Sequence, residues 1–426
     1  MKKHIIVIGG GMAGTAAAYH LRKKGYKATI LEKNDRLGGR IHSAEIGGTF
    51  VELGAGFLSN IYKNVLAFLT ETSLDKQLFS QKSKGSLFLN KKIYSPIKLF
   101  IFMSLSSKLQ LLTLVIYALV LFPWISEEKP ETLALFDTKS VTDIFRKTGS
   151  KQVLEYIFQP ILNGYCFWTP EQTSQAVLLL MTNFFIRGGR YRLQKGLQQI
   201  PQAAAKGSRV LLESEVIKVH YKNDVYSVAY KSNKKKKTIQ ADGVVCATTA
   251  SIVPKIFLDL TAVQKKFFSA INYSSTGVVV QVYEQKKQSK DIALAIPRSE
   301  KNDVATITVS TKSHEGKFLR AVKVYLPGSV SQTDEEILKK NDMSLVRNIL
   351  SSDARLKVSH VARWHEAIPV FETGSFKRLS SFVQTIEDPN FPLVFAGDYL
   401  VGPCIEWAFI SGSQAAERLD LRFKSK

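Results

Sequence analysis

Three glycines and one acid near the start of the chain have the types and spacing to hold a dinucleotide. Gly9, Gly11 and Gly14 stand in GGGMAG, a G-x-G-x-x-G, and Glu32 closes the strand-like run KATILEK. In that pattern the first glycine permits a tight turn and the second lets a pyrophosphate approach the backbone. The third lets a helix lie close on a sheet. Met12 and Ala13 open the helix, whose N-terminus offers unpaired N–H groups and a positive dipole end to phosphate. Glu32 stands where a carboxylate accepts both hydroxyls of an adenosine ribose. The elements that must position these groups are legible around them. His4 to Ile8 are β-branched, as in a buried parallel strand, and Met12 to Lys24 carry a small-residue face of Ala13, Ala16 and Ala17 before Gly25. A ligand-free βαβ unit would share the strands and helix, but not the glycines and the terminal acid together.

The rest of the chain bounds the answer. Its 426 residues, 45% hydrophobic, suffice for a large core and for more than one domain. Cys166, Cys246 and Cys404 are far apart and form no CxxC, so a disulfide framework is not expected, and a reducing, cytoplasmic setting is. No Cys/His spacing suggests a metal. The opening MKKHIIVIGGG is too short in apolar residues for a signal peptide. A net charge of +23 could serve nucleic acid or an anionic membrane surface. A solvated lysine-rich surface accounts for most of it, and no nucleic-acid partner is expected. The densest run, Lys234 to Lys237, falls where a hairpin turn belongs. Nothing in the sequence bears on oligomeric state.

After Glu32 come Lys33 to Ser43, KNDRLGGRIHS. Here the sequence resembles the flavin-containing amine oxidase superfamily, which includes protoporphyrinogen oxidases, monoamine and polyamine oxidases and carotenoid-type desaturases. The resemblance implies FAD, with Lys33, Gly38, Gly39 and Arg40 at its adenosine–diphosphate side. Outside that context Arg40 would read as a surface arginine in a polar loop. A second match is PLVFAGDYL followed by CIEWAFISGSQAAERL. It implies that Asp398, after Gly397, bonds the ribitol, and that the helix start at Ile405, Glu406 and Trp407 faces the pyrimidine edge of the flavin. Trp407 departs from the family, which usually has a small residue there. A third match, RLQKGLQQIPQAAAK through IQADGVVCATTA, implies that Val216 lies by the adenine through its backbone.

These blocks lie at both ends and in the middle, so the resemblance covers nearly the whole chain. It implies an α/β fold: a Rossmann-type (GR2) FAD-binding domain from 1–58, 195–265 and 385–426. The inserted α+β substrate region divides into a helical lobe, 59–194, and a mixed-sheet domain, 266–384. The segment 97–125 is strongly apolar, is interrupted by Pro123 and has lysines at its edges. It could span a membrane, cover the substrate cavity as a buried helix, or lie peripherally in a membrane interface. The last two readings together suit the protoporphyrinogen-oxidase resemblance. Gly164, Tyr165, Phe167 and Trp168 are candidate substrate contacts, as is Trp364. Arg363 and Pro369 are expected with Trp364 near the flavin face. For each aromatic, a core anchor is the alternative. No triad, metal set or paired-carboxylate motif assigns a catalytic residue. The resemblance thus implies an FAD-dependent oxidoreductase acting on a large apolar or planar small molecule, protoporphyrinogen-oxidase-like. A carotenoid- or squalene-type desaturase, an amine oxidase and a non-catalytic membrane-associated flavoprotein stay open beside it.

Overall fold

The computed structural model describes residues 2–80, 85–121, 129–148, 150–288, 290–314, 316–340, 349–386 and 393–425. Pro123 and the rest of 122–125 lie outside them, as do 387–392 of the C-terminal segment.

Five parallel strands form one sheet, in the order Arg209–Leu211, Lys27–Leu31, His4–Ile8, Gly243–Cys246 and Val394–Phe395. Ile5, Ile6 and Val7 are wholly buried, as the apolar, β-branched run demands of a strand covered on both faces. The helix Met12–Lys23 packs on this sheet and against the C-terminal helix Ile405–Ser425. Their contact depends on Gly412: a Cβ there would stand 2.2 Å from the Ala13 carbonyl oxygen. The first and last parts of the chain are thereby locked together around the glycine turn.

A three-stranded antiparallel sheet, Ser214–Lys222, Val225–Ser232 and Lys235–Ala241, precedes the strand Gly243–Cys246. The lysine run is placed differently from expectation. Only Lys234 sits in the turn, beside Asn233, with both residues left-handed (φ 50° and 63°). A two-residue turn of that kind matches the twist of the flanking strands. Lys235 to Lys237 therefore already belong to the strand, on its exposed part.

The second large layer is a seven-stranded mixed sheet, in the order Arg355–Pro369, Tyr273–Gln285, Lys317–Pro327, Thr306–His314, Ile292–Ala295, Gly85–Leu89 and Lys92–Tyr94. Every neighbouring pair is antiparallel except Ile292–Ala295 with Gly85–Leu89. The hairpin at 85–94 thus joins this sheet, although it lies in sequence among the helices.

The helical lobe includes Pro96–Phe102, Leu105–Leu121, Val141–Thr148 and Gln175–Arg187. The first is opened by the Ser95 side chain, which accepts from the Lys98 N–H, with Pro96 at the first helical position. Two π-helical turns, Leu154–Phe158 and Leu162–Cys166, lead to Phe167, held at φ 59°. A bulky residue in the left-handed region is uncommon and marks a backbone held by its surroundings. No helix among the described residues is long and apolar enough to cross a membrane.

Candidate cofactor and substrate site

The glycine turn has the geometry that its sequence demands. Gly9 has φ +101°, and a Cβ on it would meet the Ala247 carbonyl oxygen at 2.6 Å. At Gly14 a Cβ would stand 2.0 Å from the Gly9 carbonyl oxygen, so only glycine lets the helix approach the strand. Gly11 is the opposite case. Nothing lies within 4 Å of where its Cβ would be. That space opens into a cavity of about 1210 Å³ lined by Gly9, Gly11, Met12 and Ala13. Open volume beside a glycine at a helix N-terminus is the cradle a pyrophosphate requires.

Gly38 and Gly39 face it. The Gly38 N–H donates to the Gly10 carbonyl at 2.8 Å, and both glycines have positive φ. Arg36 holds this loop by donating to the carbonyls of Gly39 (3.0 Å) and Ile41 (3.3 Å). Glu32 is buried at the end of its strand. Its Oε2 accepts from the Gly10 N–H at 2.7 Å, and its Oε1 accepts from the Asn34 backbone and side-chain nitrogens at 2.9 and 2.6 Å. These bonds fix the carboxylate: Oε1 already accepts two donors, and Oε2, with one, keeps a lone pair for a hydroxyl. Lys33 and Val216 also line this end; the strand of Val216 carries a bulge between Val216 and Lys218.

Arg40 reaches across the cavity to the far end of the chain. Its Nη2 donates to Asp398 Oδ1 at 2.8 Å and its Nη1 to the Ala367 carbonyl at 3.1 Å. Gly397 is extended, and its N–H donates to the Ser411 hydroxyl at 2.9 Å, which ties the turn to the C-terminal helix. Ile405, Glu406 and Trp407, the first turn of that helix, line the cavity. The Glu406 carboxylate looks elsewhere. It accepts from Asn64 N (2.7 Å), Asn64 Nδ2 (2.9 Å) and Val65 N (2.9 Å), capping the helix Lys63–Glu71. The Trp407 ring packs on Gly402, where a Cβ would stand 2.4 Å from it. The glycine thus makes room for the large residue that departs from the family pattern.

The same cavity extends between the helical lobe and the mixed sheet. Leu99, Met103, Leu111, Tyr156 and Leu180 form apolar wall; Phe57, Tyr165, Phe167 and Tyr325 add rings. Trp364 lines it too, and its indole N–H donates to the Leu53 carbonyl at 2.8 Å. Three expectations change here. Trp168 is outside the lining: it is wholly buried and packs against Phe371 at 6.1 Å, so it is a core anchor. Arg363 and Pro369 are also outside it, and Arg363 pairs with Asp334 at 2.5 Å. Alternation along the strand puts Arg363 and Trp364 on opposite faces of the sheet.

The chamber also holds charged groups that motif reading passed over. Arg190 and Arg192 lie on the strand Arg190–Leu193, and Lys323 on Lys317–Pro327. Lys323 Nζ donates to the Glu52 carbonyl oxygen at 2.9 Å and lies 4.8 Å from the Tyr325 ring centre. Burial first, and Arg192 second, push its ammonium down to about 7, against the opposing pull of Glu52. Burial also raises the Glu52 carboxyl and lowers the Arg192 guanidinium. The available signal was period-two spacing, Arg190/Arg192 and Lys323/Tyr325, which puts each pair on one face of a strand.

Comparison with known proteins agrees with this architecture. The family model described as flavin containing amine oxidoreductase matches residues 12–420. Protoporphyrinogen oxidase 2 of Arabidopsis thaliana is 21% identical, over 97% of this chain and 93% of its own. Coproporphyrinogen III oxidase of Bacillus subtilis is 20% identical, over 95% and 94%. Among solved structures, cyclohexylamine oxidase of Brevibacterium oxydans superposes with a TM-score of 0.77 at 18% identity, covering 100% of both chains. That last likeness is one of fold.

Proposed function

The chain belongs to the flavin containing amine oxidoreductase family, whose members are flavin-dependent oxidoreductases, and from that premise we propose that it binds FAD and takes hydride equivalents from a large, mainly apolar small molecule. The observation that carries this reading is the single cavity. It runs without a break from Glu32, through Gly11, Arg40 and Asp398, to the apolar wall of Leu99, Met103 and Leu111. FAD, when bound, supplies the hydride acceptor. The protein's own part is to bind, orient and exclude water. Glu32 takes a ribose hydroxyl at Oε2, and the backbone at Gly11, Gly38 and Gly39 takes the diphosphate. Val216 borders the adenine and Asp398 the ribitol. The positive N-terminal end of the helix Ile405–Ser425 opposes negative charge at the ring's far edge. The chamber between the helical lobe and the mixed sheet holds the substrate away from bulk water.

A protoporphyrinogen-oxidase-like activity suits the size and apolar wall of the chamber best. Its basic residues argue against a polyamine, whose cationic ends would meet like charge. The test is an anaerobic screen of the purified protein by visible absorbance. The reading expects a yellow protein, bleached by a porphyrinogen and left unchanged by amines. A colourless protein would sink the cofactor assignment. Bleaching by an amine or by a carotenoid-type polyene alone would move the substrate to that class.

We further read the outer face of the helices Pro96–Phe102 and Leu105–Leu121 as a peripheral membrane contact. Ile97, Ile101 and Leu105 are 74%, 68% and 72% exposed, which is far more than isolated surface apolar residues require. The same helices and the link between them place Leu99, Met103 and Leu111 in the cavity lining. A lipid-soluble substrate would then have a short path inward. Flotation of wild type with anionic liposomes, against an Ile97→Glu/Ile101→Glu/Leu105→Glu variant, decides this: equal flotation of the two removes it.

A further inference from the structure

We propose that Arg190 and Arg192, together with Lys323, form an anchor for a carboxylate group on the substrate. The inference rests on reading the chamber as the substrate chamber and goes on to name a functional group the substrate must carry.

Two arginines in the chamber carry charge with no ion-pair partner among the described residues. Arg190 and Arg192 face one way from their strand, and both line the cavity. The Arg190 guanidinium lies 5.3 Å from the Phe57 ring centre and 5.2 Å from that of Tyr165, and it donates to the Tyr165 hydroxyl. Arg192 has its Nε buried with no hydrogen-bond partner. Among the described residues neither arginine forms an ion pair. The two carboxylates whose fields reach Arg192 are committed to other donors. Glu52 accepts from the Ser43 hydroxyl at 2.6 Å and the Leu197 N–H at 2.9 Å; Asp291 accepts from the Thr311 N–H at 2.8 Å.

Burying cationic groups without an ion-paired anion is costly, and a ligand that supplies that anion recovers part of the cost on binding. Guanidinium forks match a planar carboxylate through two parallel N–H···O bonds. The rings of Phe57 and Tyr165 hold one fork in place, so little side-chain freedom is lost when it engages. Lys323 adds a linked signal. Its ammonium is pushed down by burial and by Arg192, so it is partly neutral above pH 7. An anion arriving beside it raises its proton affinity and draws a proton from solvent. The groups that face it are Glu52, Arg192 and Tyr325, and of these only Glu52 opposes the shift.

The test uses the protein as purified and three probes on one planar apolar body: naphthalene-2-carboxylate, naphthalene-2-carboxamide and 2-naphthylmethylamine. Titration calorimetry at pH 8 should find the carboxylate at least tenfold tighter than the amide, with the amine weakest. In two buffers of different ionisation enthalpy, the carboxylate alone should show net proton uptake. Arg190→Gln and Arg192→Gln should each erase most of the preference while leaving the flavin content unchanged. Equal affinity of carboxylate and amide for wild type overturns the proposal, as does no binding of any probe or a preference that survives both substitutions. The wild-type comparison needs no variant to fold. A yellow protein without the preference refutes only this anchor. A colourless protein that keeps it refutes only the cofactor assignment.

Discussion

Arg40 and Asp398, 358 positions apart in the chain, meet in a two-point ion pair: Nη2 donates to Oδ1 and Nη1 lies close to Oδ2, each at 2.8 Å. The pair lines the cavity and ties the N-terminal glycine loop to the turn before the C-terminal helix. It also sets the orientation of the carboxylate assigned to the ribitol. Removing one member of a largely buried pair costs about 3 kcal/mol, because the other charge is left without compensation. Arg40→Ala is therefore expected to lose about that much stability in urea and to purify with little flavin. Arg40→Leu/Asp398→Leu should recover stability without recovering flavin. Full flavin content in Arg40→Ala would contradict the placement.

Gly11 and Gly14 are chemically identical and three residues apart, yet their substitution should have opposite consequences. At Gly11 a methyl group meets nothing within 4 Å and φ is −71°, so Gly11→Ala should fold with wild-type stability. It should still lose flavin, because the methyl takes the phosphate's place. At Gly14 the methyl meets a carbonyl oxygen at 2.0 Å. Gly14→Ala is expected to cost about 3 kcal/mol or more through overpacking. Denaturant melts and flavin absorbance on the same samples separate the two; a destabilised Gly11→Ala would mean that the open space is misjudged.

Glu406 should behave as a helix cap. Glu406→Ala strands the N–H groups of Asn64 and Val65 and is expected to cost about 2 kcal/mol. Glu406→Gln should rescue little, since its amide NH2 would face one of those donors. If instead Glu406→Gln were fully stable but flavin-free, the side chain would have to be reassigned to the cofactor.

His20 and His42 predict the acid limb of stability. Burial, and then Lys23 for His20 and Arg36 for His42, hold both near 4, below the ordinary 6.5. Between those values the unfolded chain binds more protons than the folded one. Stability should accordingly rise as pH goes from about 4 to 6.5 and be flat in these groups above that. Urea melts at pH 5 and pH 7 should show the difference, and it should shrink in His20→Asn/His42→Asn. An unchanged slope in that variant would place the acid sensitivity elsewhere.

Much of the candidate cofactor end could be read without coordinates because its requirements are local. A turn that only glycine can make, a helix N-terminus two residues on and an acid at the next strand's end are all fixed by short-range backbone geometry. The C-terminal Gly397–Asp398 turn and the Val216 hairpin were readable by a different route, each as a segment that resembles a motif of the family. Trp168 and Arg363 show the limit. Their types suit a pocket, but which way a side chain points depends on register against other strands, and the structure turns both away.

What the sequence determined by itself was the family and the α/β architecture, through three motif blocks that resemble the family's, and it named the glycine-turn residues proposed to cradle a dinucleotide, because each block rests on contiguous residues. What only the tertiary structure decided was the partnership of Arg40 with Asp398, the capping role of Glu406 and the gathering of Arg190, Arg192 and Lys323 around one chamber. Those relationships join segments separated by more than a hundred residues. They are set by how sheets and helices pack, and no spacing within any one segment encodes them.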